Sequence, residues 1–397
     1  MNITIPRSQV DLFDDAILKN PYPAYAELRD LGPAVWMDAH RAWAIPRYAD
    51  VRSVLRDHET FSSAPNPGLE PEQPYMPRGD ILGSDPPLHE HLRGVLADQL
   101  GPRALRDLRD EISAQADELV AEVVEQRQFD VVSALARRFP VDVVCQLVGL
   151  EGGGAEFREK LFAFADAAFN TFGPLNTRTQ ASLETVMSML EFMQTAMSRG
   201  SLRPGSWGAA IYEAADRGDI THEDAARMMG AFVVAGMDTT VNAISMAIWL
   251  LARHIDQWEA LRAEPGLAKP AFEETLRLES PAQLFARGVT RDTEIGGTPI
   301  AGGDRVVVLF GSANRDERKY PNPETFDIAR NPLDHVAFGY GIHVCLGAGL
   351  SRIEVPAILE SFARRVESVW LLSEPQRHLN NVIRGLKHLP IEIEPAL

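Results

Sequence analysis

The apolar positions of this chain recur mostly with helical spacing. The longest such segment starts near Thr221 and runs to about Arg253, and its apolar part, 231–252, is interrupted by a polar cluster at 238–242. Thr221 can cap this helix, and acidic residues fill its first turn, where the helix dipole favours negative charge. Because a polar cluster makes a poor membrane span, we predict a buried functional helix.

Helical spacing also covers 87–199, with breaks at 151–154 and near 172–176, and returns at 270–278 and after Cys345. Between these helices, short alternating segments predict strands. They lie at 35–38, 42–45, 288–310, 368–372 and 391–394, and the first two form a hairpin.

The predicted strands and helices do not alternate as βαβ units, which argues against a doubly wound nucleotide-binding sheet. We therefore predict a mainly α fold with small β-sheets. A single domain should span 1–397, with a small β-rich part at about 30–60 and 288–310 and helices elsewhere.

Composition narrows the class of protein. The chain has 397 residues and a formal net charge of −17, which disfavours a nucleic-acid binder. Its two cysteines, Cys145 and Cys345, exclude a disulfide scaffold. The N-terminal residues lack a basic start followed by an apolar run, so we expect no signal peptide, no membrane anchor and a cytoplasmic location. The proline-rich segment 62–78 is long for a connection and typical of a lid or binding loop.

The most informative segment is 338–347, which reads FGYGIHVCLG and leads into the last predicted helix. A lone cysteine is usually a small buried hydrophobe, and this describes Cys145 in its apolar helix. Cys345 differs, because the glycines around it permit close backbone approach and N–H groups at a helix start stabilise a thiolate. A thiolate held in this way is a proximal ligand for haem iron.

This segment matches F-G-x-G-x-H-x-C-x-G, the haem-binding signature of the cytochrome P-450 family, and the resemblance covers essentially the whole chain. It implies haem b (iron protoporphyrin IX) as cofactor and Cys345 as the axial ligand of the iron. It further implies that Phe338 packs near the sulfur, that His343 contacts a haem propionate and that Gly347 completes the loop. In the fold of this family, the haem lies between the long central helix and the helix after the cysteine loop.

Residues 274–277, ETLR, resemble the family's E-x-x-R element. Glu and Arg three residues apart on a helix are usually an exposed pair that contributes a few tenths of a kcal/mol. Here the resemblance implies a buried lock that supports the cysteine loop, with Arg330 as its third member. These three residues would be structural rather than catalytic.

Residues 85–93, DPPLHEHLR, resemble the family's D-P-P-x-H-x-x-x-R. His89 and Arg93 lie four residues apart on one helix face, so both can reach one carboxylate group. Arg287 follows a predicted turn and strand start, where the resemblance implies another propionate ligand. Each residue alone is more commonly a surface charge. Together with the cysteine loop, the three are expected to bind the haem propionates.

Residues 235–240, AGMDTT, resemble the oxygen-activation motif A-G-x-D-T-T. The Thr239 hydroxyl can turn to the carbonyl of Ala235, which loosens the helix and opens a groove, and Gly236 leaves room for dioxygen. The resemblance implies that Thr239 hydrogen-bonds the oxygen and that Asp238 relays protons from solvent.

The soluble bacterial branch of the family usually takes electrons from a ferredoxin that a separate NAD(P)H reductase reduces. With two cysteines, one of them committed, this chain has no iron–sulfur domain of its own. The resemblance therefore implies ferredoxin and its reductase as separate partners, besides O2 and a small aromatic substrate. Arg103 and Arg352 are candidates for a basic docking patch, although solvated surface residues are the commoner case. We expect a monomer without nucleic-acid or membrane partners.

Four stretches, 169–174, 238–242, 280–287 and 311–316, resemble the subgroup that O-demethylates para-methoxybenzoate and related aromatic acids. We expect an apolar pocket for a flat ring, although for the phenylalanines a plain core role is equally expected. The predicted pocket residues are Phe169, Phe172, Val234, Ala235, Leu284 and Phe285.

Recognition of an acid is left open by the sequence. Where the subgroup has polar helix residues, this chain has Gly230 and Ala231, and Arg78 is the basic residue of the preceding loop. The predicted reaction is O-demethylation or hydroxylation of a methoxy- or alkyl-substituted aromatic acid or phenol. The alternatives are a tailoring oxidase of a larger natural product and a haem sensor. A sensor has no use for the proton delivery that Asp238 and Thr239 imply.

Overall fold

Helices make up most of the protein, which a computed structural model describes over residues 5–64, 66–70 and 79–396. In chain order the α-helices are α1 Asp15–Lys19, α2 Tyr22–Leu31, α3 Tyr48–Arg56, α4 Leu88–Val95, α5 Ala97–Leu100, α6 Pro102–Val124, α7 Phe139–Val148, α8 Ala155–Asn170, α9 Thr177–Thr195, α10 Trp207–Asp216, α11 His222–Arg253, α12 Ile255–Ala263, α13 Ala268–Leu278, α14 Phe310–Ala313 and α15 Ala348–Arg365.

Short strands lie between these helices and at the two ends of the described chain. They are β1 Arg7–Ser8, β2 Val35–Met37, β3 Ala42–Ile45, β4 Phe61–Ser62, β5 Gln128–Asp130, β6 Leu284–Val289, β7 Thr293–Ile295, β8 Thr298–Ile300, β9 Arg305–Leu309, β10 Val366–Leu371, β11 Gln376–Leu379, β12 Arg384–His388 and β13 Pro390–Pro395. The predicted fold class, mainly α with small β-sheets, is confirmed.

The largest sheet has the strand order β1-β2-β3-β9-β6-β4. The predicted hairpin is its β2–β3 pair, with Val35 opposite Ala44. β9 joins β3 in parallel and β6 in antiparallel, so that residues from distant parts of the sequence form one surface. The other sheets have the orders β10-β13-β5, β11-β12 and β7-β8.

The long helix α11 passes through the centre of the helical part. Its N-terminus is a capping box, in which Thr221 Oγ1 accepts the Asp224 N–H at 3.0 Å and the Asp224 carboxylate accepts the Thr221 N–H at 3.1 Å. By length and composition α11 is apolar enough to cross a membrane, but most of it is buried by α7, α8, α10, α13 and α15, as in the core helix of a soluble protein.

One segment departs from the predicted helix over 87–199. Residues 128–130 form β5 instead, and a π-helical turn, Val132–Ala136, follows. Arg127 precedes the strand with a φ of 57°, and β5 pairs with β13, where Asp130 lies opposite Pro390. The strand therefore depends on a partner from the end of the chain, which local periodicity does not reveal.

Candidate functional site

A cavity of about 320 Å³ lies between α11 and the loop that carries Cys345. Its wall combines residues from α4, α8, α11 and β6 with most of segment 337–347. This volume falls within the range of about 300–1,000 Å³ that ligand pockets commonly enclose.

The glycines of segment 338–347 shape the cysteine loop. Gly341 has a φ of 75°, and a Cβ there would collide with the Leu55 carbonyl oxygen, so only glycine fits. A 3₁₀ turn, Gly341–His343, follows, and the Cys345 N–H donates to the Phe338 carbonyl at 2.8 Å. These contacts fix the loop just before α15 begins at Ala348.

The sulfur of Cys345 faces the cavity and is accessible within it. Burial raises the pKa of this thiol, while the N–H groups of Gly347 and Ala348 and the Arg93 charge act in the opposite direction. A bound metal cation would reverse the balance and favour the thiolate. Cys145, in contrast, is buried among apolar residues of α7, where burial raises its pKa to about 12.

Four basic side chains converge beside the cysteine loop: His89, Arg93, Arg287 and His343 all line the cavity. The rings of His89 and His343 lie 4.3 Å apart between centroids. Nδ1 of His89 and Nε2 of His343 are buried without a hydrogen-bond partner among the described residues. Burial and the neighbouring cations lower the pKa of His343 to about 3.

Arg287 is buried, and its Nη1 donates to the Ala286 carbonyl at 2.7 Å. Burial lowers the pKa of Arg287 to about 10. In the part of the chain that the structure describes, neither Arg287 nor Arg93 forms an ion pair with a carboxylate. Because uncompensated buried charge is costly, this cluster fits an anionic group in the cavity. The two carboxylates of a haem fit such a site.

The predicted lock under the loop is present. Glu274 and Arg277 are both 0% exposed, and Arg277 donates from Nε and Nη2 to the Glu274 carboxylate at 2.8 and 2.9 Å. Arg330 Nε adds a third bond at 3.1 Å. Arg277 also donates to the carbonyls of Asn314, Pro323 and Thr325, so it holds the segment that leads to the cysteine loop.

Arg352 on α15 is already engaged by other groups. It donates to Glu273 at 2.6 and 3.0 Å, and its guanidinium lies 4.6 Å from the centre of the Phe338 ring. His335 contacts the same carboxylate at 3.0 Å. The charge of Arg352 is therefore compensated, so Arg352 braces the cysteine loop instead of offering a free cation. Arg103, at the start of α6, is exposed.

Thr239 faces the cavity, and its Oγ1 donates to the Ala235 carbonyl at 2.9 Å, as predicted. Asp238 is fully buried and is not part of the cavity wall. Its Oδ1 accepts from Asn242 Nδ2 at 2.7 Å, and burial together with the charge of Asp166 raises its pKa to about 7. The Asp238 carboxyl is therefore out of contact with bulk solvent.

Most of the residues predicted to meet the substrate line the cavity. Phe172 lies between the other two aromatic rings, 6.0 Å from Phe169 and 5.5 Å from Phe285, and Val234 and Ala235 lie opposite on α11. Gly230 and Ala231 also line the cavity.

Two predicted substrate residues are not seen in the cavity wall. Leu284 does not line the cavity, because the alternation of β6 directs it into the apolar cluster with Val307 and Leu309. Arg78 lies outside the described residues.

The structure adds polar groups to the wall that sequence reasoning missed. Arg227 lies on α11 at the end far from Thr239 and is paired with Glu223 and Asp224. Helical spacing contained the signal, because 227, 231, 235 and 239 are four residues apart and share one face. Asp80 also lines the cavity, and its carboxylate accepts the Gly83 N–H at 2.6 Å.

Comparisons with known proteins agree with this geometry. Residues 155–368 match the family model for Cytochrome P450. The chain is 38% identical to cytochrome P450 CYP199A2 of Rhodopseudomonas palustris, over 99% of this chain and 95% of that protein.

Solved structures of cytochromes P450 share the fold of this chain. Cytochrome P450 CREJ in complex with (4-ethylphenyl) dihydrogen phosphate superimposes with a TM-score of 0.88 and 28% identity, covering 97% of this chain and 99% of that one. P450BioI in complex with an acyl carrier protein that carries hexadec-9Z-enoic acid gives a TM-score of 0.86 and 29% identity, covering 96% and 100% of the two chains.

Proposed function

The chain belongs to the cytochrome P450 family, and from that premise we propose how its residues bind the cofactor and what they oxidise. The protein is a haem monooxygenase, and haem b bound through a cysteine thiolate is its cofactor. The observation that carries the proposal is that one cavity is lined by Cys345, by Thr239 and by several phenylalanines.

We assign Cys345 as the ligand of the haem iron. Phe338 and Gly347 flank the sulfur, and the four basic side chains His89, Arg93, Arg287 and His343 bind the haem carboxylates. When bound, the haem supplies the binding and reductive activation of dioxygen. Phe338 and Leu346 shield the sulfur side of the site with apolar surface, which strengthens electrostatic contacts there.

Thr239 and Asp238 handle protons. Because the Thr239 hydroxyl donates to Ala235, its oxygen is free to accept a hydrogen bond from a group in the cavity. A pKa near 7 lets Asp238 hold and release a proton at neutral pH, as a general acid requires. Asp238 and Thr239 are therefore the catalytic pair of the proposal.

Electrons come from a separate ferredoxin and its NAD(P)H reductase. Ferredoxins are acidic, so the exposed Arg103 is suited to their docking, whereas Arg352 is already neutralised by Glu273. The protein acts as a cytoplasmic monomer in a single domain.

The substrate is a small aromatic compound that carries a methoxy or alkyl group. Three phenylalanines and the apolar face of α11 suit a flat ring. The related CREJ structure holds (4-ethylphenyl) dihydrogen phosphate, a single-ring compound with an alkyl group, which supports this class.

Oxidation of a methoxy group inserts one oxygen atom of O2 into a methyl C–H bond. The second oxygen atom leaves as water, formed with two electrons and two protons. The resulting hemiacetal, Ar–O–CH2–OH, breaks the bond between its methylene carbon and the aryl oxygen. Its hydroxyl proton moves to that oxygen, so a phenol and formaldehyde are released. An alkyl group oxidised in the same way gives an alcohol.

The described cavity favours a neutral ring over a benzoate. Four basic side chains of the cavity wall bind the haem carboxylates in this proposal. Arg227 is the one other described cation of the wall, and Glu223 and Asp224 already neutralise its charge. Arg227 also lies one helical turn beyond Ala231, about 6 Å further from Thr239. Only an acid with an extended side chain would reach it.

The test is a titration of the haem-loaded protein that follows the low- to high-spin shift as water leaves the iron. We expect 4-methoxyphenol and 4-ethylphenol to give the shift at lower concentration than 4-methoxybenzoate. Arg227→Gln should change none of these affinities by more than about twofold. The matched control is Arg217→Gln, which removes an exposed paired arginine outside the cavity wall.

Tighter binding of the benzoate would contradict the neutral-ring proposal. In that case, Arg78→Ala or Arg227→Gln should weaken its binding roughly tenfold to a hundredfold, because a charge-assisted contact contributes about 1.5–3 kcal/mol. If no single-ring compound shifts the spin state while larger lipophiles do, the enzyme is a tailoring oxidase of a larger product.

A further inference from the structure

Asp238 points away from the cavity, toward the β11–β12 hairpin. Its Oδ1 accepts from Asn242, and its Oδ2 is buried without a partner among the described residues. Gly385 on β12 packs directly on the Asn242 side chain, where any Cβ would collide with the amide. The hairpin therefore lies against the turn of α11 that carries Asp238.

His378 lies on the neighbouring strand, directly opposite Gly385. Its Nε2 contacts Asp166 Oδ1 on α8 at 2.6 Å, and Asn380 Nδ2 donates to the same oxygen at 2.7 Å. The side chains of His378 and Asp166 are 22% and 23% exposed, so this pair reaches solvent whereas Asp238 does not.

The charges of His378, Asp166 and Asp238 affect one another. Burial lowers the pKa of His378, but the hydrogen bond and charge of Asp166 and the charge of Asp238 outweigh it, so that the pKa is raised above 6.5. Arg137, which follows the π-helical turn, opposes them and also acts on Asp238. Its guanidinium pairs with Glu159 on α8 at 2.7 Å.

We propose that His378, positioned by Asp166, supplies protons from solvent to Asp238. Asp238 releases its proton toward Thr239, its carboxylate takes a proton from the His378 imidazolium, and water reprotonates the imidazole. His378 acts through Asp238 and does not touch the substrate, and the inference rests on the proposed role of Asp238.

The test uses His378→Gln in the haem-loaded enzyme with its reductase and ferredoxin. Glutamine keeps a hydrogen-bond donor for Asp166 but does not titrate. The matched control is His388→Gln, because His388 lies on β12, contacts Asp130 at 3.3 Å and is 51% exposed. We expect product formation to fall about tenfold in His378→Gln, with an unchanged substrate spin-state shift, and to stay within about twofold in the control.

The pH profile distinguishes proton supply from a structural effect. A protonated His378 is the donor, so the wild-type rate should fall as the pH rises through the pKa of His378. Asp238 releases its proton in the same range, because its pKa is raised to about 7, so the fall has two parts. His378→Gln should lose the His378 part, so that the rate falls less steeply with pH. Asp166→Asn should move the whole fall to lower pH, because Asp166 raises the pKa of both groups. A fall of unchanged steepness and position in His378→Gln would overturn the proposal.

A second readout needs no turnover. NMR titration of the ferrous carbon monoxide form should place the pKa of His378 above its ordinary value and lower it in Asp238→Asn, with His388 unaffected. An unaltered His378 titration in Asp238→Asn would show that the two groups do not interact, and would overturn the relay.

If Asp238→Asn itself leaves product formation unchanged, the proposed role of Asp238 fails. If Asp238→Asn slows the enzyme and His378→Gln does not, only the relay fails.

Discussion

Glu274→Gln should destabilise the protein far more than its small chemical change suggests. The Glu274 carboxylate is 0% exposed and accepts two bonds from Arg277, one from Arg330 and one from the Asp327 N–H at 3.1 Å. Glutamine replaces one carboxylate oxygen with an NH2 group, which cannot accept hydrogen bonds from these donors. The substitution also leaves Arg277 charged in the interior. Breaking a buried pair in this way costs about 3–5 kcal/mol.

An exposed pair of the same geometry provides the control. Arg138 donates to both oxygens of Glu122 at 2.7 and 2.8 Å, but Glu122 is 57% exposed, so Glu122→Gln should cost about 0.2–1 kcal/mol. Urea unfolding of the haem-loaded proteins, followed by circular dichroism and by haem absorbance, measures both variants. We expect Glu274→Gln to lose haem at lower urea, because Arg277 holds the segment before the cysteine loop. Equal midpoints for the two variants would refute the reasoning.

Three further predictions concern the site. Cys345→His should abolish the absorption band that a thiolate-bound ferrous haem gives with carbon monoxide, whereas Cys145→Ala should keep it; the reverse result would contradict the ligand assignment. Thr239→Ala should bind haem and substrate normally but divert electrons into hydrogen peroxide, measured as product formed per NAD(P)H consumed. An unchanged ratio would mean that protons arrive by another route. Arg103→Glu should slow ferredoxin-dependent turnover without altering substrate spectra, and added salt should slow the wild type in the same assay; turnover with NAD(P)H alone would contradict a separate donor.

Elements defined by local chemistry could be predicted from the sequence. The capping chemistry of Thr221 and Asp224 fixes where α11 begins, and the glycines at 296–297 fix the turn between β7 and β8. β5 could not be predicted, because its register depends on β13 at the far end of the chain. The same holds for the β11–β12 hairpin, whose polar residues carry no apolar alternation.

The contacts of the candidate site likewise fall into those that the sequence predicts and those that only the fold reveals. Residues at fixed spacing, such as Thr239 with Ala235 and Glu274 with Arg277, meet because a helix places them together. Contacts between distant segments were predictable only where the family resemblance supplied them, as for Arg330 with Glu274. Arg352 reads as a free surface cation in the sequence, and only the fold brings Glu273 to it.

The adjacent residues Asp238 and Thr239 show how one helix separates two tasks. Successive residues on an α-helix are rotated by about 100°, so neighbours in sequence face different surroundings. Thr239 faces the apolar cavity, whereas Asp238 faces the hairpin that carries His378. In the proposed relay, proton supply therefore lies outside the wall of the cavity. Substitutions at His378 should therefore change the rate and its pH dependence, whereas substitutions at Phe172 or Phe285 should change which substrate binds.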